Sequence, residues 1–110
     1  MHEVAIMQEA VRLAAEAAGA RRVRKLSLRV GVLSGAVPDA LRFAFDVVGR
    51  GTAVEGANLE IESVPAICWC ATCGREFESE NFLDECPRCH NLSGDLRRGR
   101  ELEIAAVELE

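Results

Sequence analysis

The chain has 110 residues, a formal net charge of −5, a pI near 5.1 and 49% hydrophobic residues. That length suits one domain, or one domain with a small satellite, and enough apolar residues for a core without disulfides. The acidic balance argues against a protein that coats nucleic acid, and no apolar run approaches the roughly 20 residues of a membrane span.

Residues 3–18 read as a helix. Val4, Met7, Val11, Ala14 and Ala18 recur at helical spacing, and Ile6, Ala10, Leu13 and Ala17 widen the stripe enough to meet two neighbours. Gly19 is a natural stop. Glu3, Glu9 and Glu16 interrupt the segment, so a secretory leader is not expected here. Arg21 to Lys25 read as a basic connector.

Residues 25–33 alternate, with Leu26, Leu28, Val30 and Val32 on one face and Ser27, Arg29 and Gly31 on the other, which predicts a strand with one buried face. Leu33-Ser34-Gly35-Ala36 turns the chain, and Pro38 suits the first position of a second helix. Val37 is a poor cap for it. Leu41, Ala44, Phe45 and Val48 form its core face, flanked by Phe43 and Val47, before Gly49 and Gly51. Leu59 to Glu62 alternate again, which predicts a β-α-β unit with parallel strands.

Residues 67–99 hold few apolar side chains: Ile67, Trp69, Phe77, Phe82, Leu83, Leu92 and Leu96. That is too little burial to order the segment unaided. Arg97-Arg98-Gly99-Arg100 leads back to a final strand with Leu102, Ile104, Val107 and Leu109, whose parity changes across Ala105-Ala106 and predicts a bulge. The fold class is therefore α+β: two helices on a three-stranded mixed sheet, residues 1–66 plus 100–110, with an inserted zinc-ribbon-like module over 67–99.

The insert carries Cys70-Ala71-Thr72-Cys73 and Cys86-Pro87-Arg88-Cys89. Each Cys-x-x-Cys turn offers two thiolates, and two turns make a closed tetrahedral cage whose first reading is structural zinc. A rubredoxin-like iron site and a dithiol redox switch are the alternatives. Catalytic zinc is disfavoured because four thiolates leave no open position. Four cysteines used this way suit a reducing cytoplasm. Gly74 follows the first pair, where a knuckle requires a positive backbone dihedral, and His90 holds the matching place in the second. His90 is close enough to substitute for a cysteine. Cys68, the spare, stands in Cys-x4-Cys spacing to Cys73 and competes on paper with Cys70.

Met1-His2-Glu3 suggests a second site. A histidine at position two puts the terminal amine of Met1, the His2 amide and the His2 imidazole within reach of one cation. A deprotonated amide calls for Ni(II) or Cu(II), with Glu3 or solvent completing the coordination. Because amine and imidazole must lose protons to bind, affinity should fall below about pH 7.

Taken together, Met1-His2-Glu3, Gly35, the run Pro38-Asp39-Ala40-Leu41-Arg42-Phe43-Ala44-Phe45, Gly51-Thr52, Leu59 to Glu62, the two cysteine pairs and Gly99-Arg100-Glu101-Leu102 resemble the HypA (HybF) family. Those are nickel metallochaperones of [NiFe]-hydrogenase maturation. The resemblance covers essentially the whole chain. It implies a small nickel-binding α/β domain with an inserted zinc domain: His2 as the essential nickel ligand with Met1 and Glu3 nearby, and Cys70, Cys73, Cys86 and Cys89 as zinc ligands. It further implies work with the GTPase HypB, delivery to the hydrogenase large subunit, and service to urease in some members. A weak homo-oligomer stays open. His90, where glycine is common, and the extra Cys68 are departures.

The expectation is a non-enzymatic, cytoplasmic nickel carrier. A zinc-ribbon module contacting protein or nucleic acid is the rival, resting on Arg97, Arg98 and Arg100. Against it, residues 67–100 hold five arginines and six acidic residues. An enzyme is disfavoured, since no nucleophile–base pair or phosphate loop is visible.

Overall fold

A computed structural model describes residues 2–79 and 84–110. Met1, Phe82 and Leu83, named above, lie outside the described residues. Helix α1 spans His2–Ala18 and buries Met7, Ala10, Val11, Ala14 and Ala18 along one stripe. Gly19 closes it at φ +62, a left-handed conformation that glycine takes without steric cost. Strand β1 follows (Val23–Gly31), then α2 (Pro38–Val48) and β2 (Asn58–Val64). The insert supplies β3 (Ile67–Cys70), β4 (Arg75–Glu78) and β5 (Leu96–Arg98), and β6 (Leu102–Leu109) ends the chain.

The first sheet has the order β2-β1-β6. β1 and β2 are parallel, in unbroken register from Lys25↔Asn58 to Gly31↔Val64, and β6 runs antiparallel to β1. It is thus the mixed three-stranded sheet read from the alternation. The register between β1 and β6 shifts where Ser27 faces Ala106 but Leu28 faces Ile104, leaving Ala105 as the extra residue of the predicted bulge. Both helices cover the face that carries Leu26, Leu28 and Val30, and Met7, Leu26, Leu41, Val23 and Val54 are completely enclosed. Each large aliphatic side chain so buried contributes roughly 1.5–3 kcal/mol.

Two boundaries differ from the sequence reading. β1 starts at Val23, so Arg24 and Lys25 belong to the strand and not to a connector. A second register shift makes Arg24 an extra residue, which lets both Val23 and Leu26 face the core. At the other end the strand stops at Gly31, and Val32, read as a core position, is half exposed. Its backbone leaves the ladder with β6 because the returning chain crosses at Gly99. Likewise Arg97 and Arg98 form part of β5, paired with β3, and are not a connector. The second apolar stripe of α1 is only partly covered: Leu13 is exposed beside a groove of about 450 Å³ along β6.

The outer sheet face is a charge ladder. Lys25 and Arg29 on the central strand meet Glu60 and Glu62 on one side and Glu108 and Glu103 on the other, at 3.4–3.6 Å. Exposed pairs of this kind contribute about 0–1 kcal/mol each. Among the described residues no helix is long and apolar enough to cross a membrane.

The second sheet has the order β4-β3-β5 and its own small cluster of Cys68, Cys70, Phe77 and Cys86. It meets the first sheet through Gly31 to Leu33. Gly31 N–H donates to Glu101 O at 2.7 Å, Val32 N–H to Val64 O at 3.0 Å and Leu33 N–H to Gly99 O at 2.7 Å. Both strands that join the sheets are thereby tied to one turn.

Candidate metal centres

β3 ends at Cys70, and the turn that follows carries Cys73 and closes with Gly74 N–H donating to Cys70 O at 2.8 Å. The second turn repeats this, with His90 N–H on Cys86 O at 2.8 Å. Gly74 and His90 have φ of +65 and +63, the left-handed conformation anticipated for both. A left-handed residue costs a side-chain-bearing amino acid roughly 1–2 kcal/mol. Asn91 Nδ2 donates to Thr72 Oγ1 at 2.9 Å and joins the two knuckles.

The four cysteine sulfurs lie within 4.8 Å of one another. Cys70 and Cys89 Sγ are 3.5 Å apart, and Cys73 and Cys86 Sγ 3.9 Å. A tetrahedral zinc with bonds of about 2.3 Å needs sulfurs about 3.8 Å apart, so these two pairs already match that ion and none of the others has to draw in by more than about 1 Å. The amides of Cys89 and Arg88 hold the Cys86 thiol down to about 6. Hydrogen bonding to Cys89, then burial, pushes Cys73 up to about 12. A divalent ion at the centre of the four sulfurs would favour four thiolates.

Two minor sequence alternatives fall away here, and Cys68 stands just outside the cage, as expected of the spare thiol. His90 does not enter the cage: its ring is exposed, with Nδ1 3.3 Å from Glu85 Oε2. Cys68 is fully buried but stands apart, its Sγ donating to Asp84 Oδ1 at 3.4 Å. Burial, then the bond to Asp84, pushes its thiol up to about 11. Asp84 itself was missed from the sequence, where nothing marks it as the partner of a cysteine sixteen residues earlier.

At the other candidate site, His2 heads α1, and its Nε2 lies 3.4 Å from Gly35 O and 3.5 Å from Glu3 Oε2. Residues of a first helical turn have no intrahelical acceptor for their N–H, which leaves the His2 amide outside the helix ladder. Glu3 is buried, and its Oε2 accepts the Val37 N–H at 3.3 Å. The turn before α2 therefore folds onto the start of α1. The link satisfies the N–H of Val37, which makes no side-chain cap of its own. Met1, the remaining residue of the proposed chelate, lies outside the described residues.

The amides of Glu3 and Val37 hold the Glu3 carboxyl below its usual range. A lowered carboxyl contributes stability above its unfolded value and loses it as pH falls through the folded one. The Glu3→Gln variant should therefore melt below the parent at pH 7, with the gap closing beneath about pH 4. Thermal melts at pH 7 and pH 3 check this, and an equal gap at both would refute it.

A family profile described as "Hydrogenase/urease nickel incorporation, metallochaperone, hypA" matches residues 1–109. The hydrogenase maturation factor HypA of Picosynechococcus sp. (strain PCC 7002) is 46% identical, with 99% of each chain covered. That of Geobacter metallireducens is 42% identical over the full length of both. The solution structure of the Ni metallochaperone HypA from Helicobacter pylori shares the fold, with a TM-score of 0.67 at 20% identity, covering 97% of this chain and 96% of that one. A second solution structure of a HypA protein gives 0.71 at 21% identity, covering 100% and 97%. Sequence, fold and a four-cysteine metal site together place this chain in the HypA family of nickel-incorporation metallochaperones for hydrogenase maturation.

Proposed function

We propose that this chain binds Ni(II) at its N-terminus, through His2 with the Met1 amine and Glu3, and hands it on during [NiFe]-hydrogenase maturation. The observation that carries this reading is the convergence of His2, Glu3 and the Gly35–Val37 turn at an exposed helix start. The ligands are nitrogen- and oxygen-based, apart from the sulfur cage. Amine, amide and imidazole suit nickel, whereas four thiolates suit a retained zinc. Zinc is held by Cys70, Cys73, Cys86 and Cys89 as a structural ion. Residues 67–99 form the zinc unit, and residues 1–66 with 100–110 the nickel unit.

The chain works as a carrier in the cytoplasm and not as a catalyst. It receives or passes nickel with a HypB-type GTPase and the hydrogenase large subunit, and urease maturation is a further outlet. Copper outcompetes nickel at such ligands in free solution, so selectivity comes from partners and supply. The nucleic-acid reading loses ground because Arg97 is engaged by Asp95 and Arg98 by Glu76, and Arg97 also covers Trp69 at 5.0 Å.

The test compares untagged parent, His2→Ala and an N-terminally extended form, each given one equivalent of nickel. Both changes should weaken binding by roughly tenfold or more. Parental affinity in both would remove the N-terminal site.

A further inference from the structure

Cys68 and Cys70 point to the same side of β3, since side chains two apart in a strand share a face. Both are buried. A one-residue slip of β3 would reverse its faces, but a two-residue slip would not. After such a slip Cys68 would stand at the knuckle in place of Cys70, with Ala66, also buried, in the place of Cys68. Apolar patterning alone therefore does not distinguish two registers of the cage. Polar contacts do. Cys68 Sγ donates to Asp84 Oδ1 at 3.4 Å, and Ser79 Oγ donates to the same oxygen at 3.3 Å. Asp84 is itself fixed, with φ +55 and its carbonyl accepting Ser93 N–H at 2.8 Å. Next to it, Trp69 N–H donates to Asp95 O at 2.9 Å, and Ser93 Oγ donates to Trp69 O at 2.5 Å.

We infer that Asp84, supported by Ser79, is a positioning residue for the metal site: it seats Cys68 outside the cage and so selects Cys70 as the fourth ligand. With five cysteines for four places, the seat sets which thiol is left over. A slip would strand the carboxylate without its sulfur donor, whereas the bonds now made by the Trp69 backbone would pass to the backbone of Ile67, so the Asp84 seat is what separates the registers. The inference rests on the zinc reading of the cage.

Zinc affinity by chelator competition, with cysteine 13Cβ shifts to separate zinc-bound thiolates from free thiols, tests it on the full chain. Cys70→Ser should bind zinc roughly tenfold or more weakly, with Cys68 still a free thiol. Adding Asp84→Gly, which removes the carboxylate and tolerates the left-handed backbone, should restore affinity to within about threefold and turn Cys68 into a zinc-bound thiolate. Adding Asp84→Asn, which keeps an acceptor, should restore nothing. Parental affinity in Cys70→Ser alone, or no recovery with Asp84→Gly, overturns the inference. If the double variant does not fold, Ser79→Ala with all five cysteines decides. Its zinc-loaded form should show free-thiol signals at both Cys68 and Cys70, against Cys68 alone in the parent, and a free thiol at Cys68 alone overturns the seat. A parent chain that binds no zinc fails the cage reading itself and the seat with it, whereas a zinc-binding parent without recovery fails only the seat.

Discussion

With the proposed zinc in the cysteine cage, chelation should unfold the insert and leave the helix-backed sheet standing. The two halves differ in what holds them. The first is built on Met7, Val11, Leu26, Leu28, Val30, Leu41 and Phe45, whose burial alone is a substantial core. The second buries three cysteines and Phe77, with Leu96 partly covered beside them. Ordering each residue costs about 1.5 kcal/mol in conformational entropy, and a cluster dominated by thiols cannot offset that over the whole insert. A structural zinc supplies on the order of 10–16 kcal/mol of apparent binding free energy in isolated zinc fingers, and removing the proposed ion here would remove the largest favourable term. Trp69 is the only tryptophan, and it sits on β3 under Arg97, so its emission reports the insert alone. Chelation should red-shift that emission and collapse amide protection at Phe77 and Leu96, while Leu26 and Val30 stay protected. Cys73→Ser should do the same at ordinary zinc concentrations. Unchanged Trp69 emission in protein assayed as zinc-free would sink the prediction.

The same contrast explains what could be read from residues alone. Local periodicity carried both helices, the parallel β1–β2 pair and even the extra residue at Ala105, because each is written within a few positions of the chain. The cage was legible because two tight turns need only their own spacing, and the left-handed Gly74 and His90 follow from the same geometry. Contacts between distant segments were not. Nothing near Glu3 announces that it will accept the Val37 amide, and nothing near Asp84 announces Cys68. Arg97 and Arg98 looked like a charged exit until β3 offered them a pairing edge. Val32 continued the alternation of β1 flawlessly, yet the strand ends before it because another part of the chain arrives there.

That arrival makes Gly31 the position where one methyl group should do most damage. A Cβ added at Gly31 would lie 2.1 Å from Gly99 O, 2.2 Å from Gly99 C and 2.7 Å from Arg100 N, all backbone atoms that no rotamer change can move. Gly99 cannot retreat easily. It holds φ +125, and a Cβ there would in turn press on Ala66 Cα at 2.8 Å. The two glycines thus allow the strands entering and leaving the insert to cross against the turn. Relief requires breaking at least one of the bonds from Gly31 to Glu101, from Val32 to Val64 or from Leu33 to Gly99. Gly31→Ala should therefore cost about 4 kcal/mol or more, the range reserved for overpacking that the backbone cannot absorb. Gly35→Ala is the control: it has open space around the new methyl but φ +84, so it should cost only about 1–2 kcal/mol. Urea midpoints of the two variants give the comparison. The turn disturbed at Gly31 is the one that reaches His2 through Gly35 and Glu3 through Val37. Gly31→Ala protein that stays folded should consequently also bind nickel more weakly than the parent. A Gly31→Ala midpoint within about 1 kcal/mol of the parent would show that the crossing can relax, and would remove the link between the two.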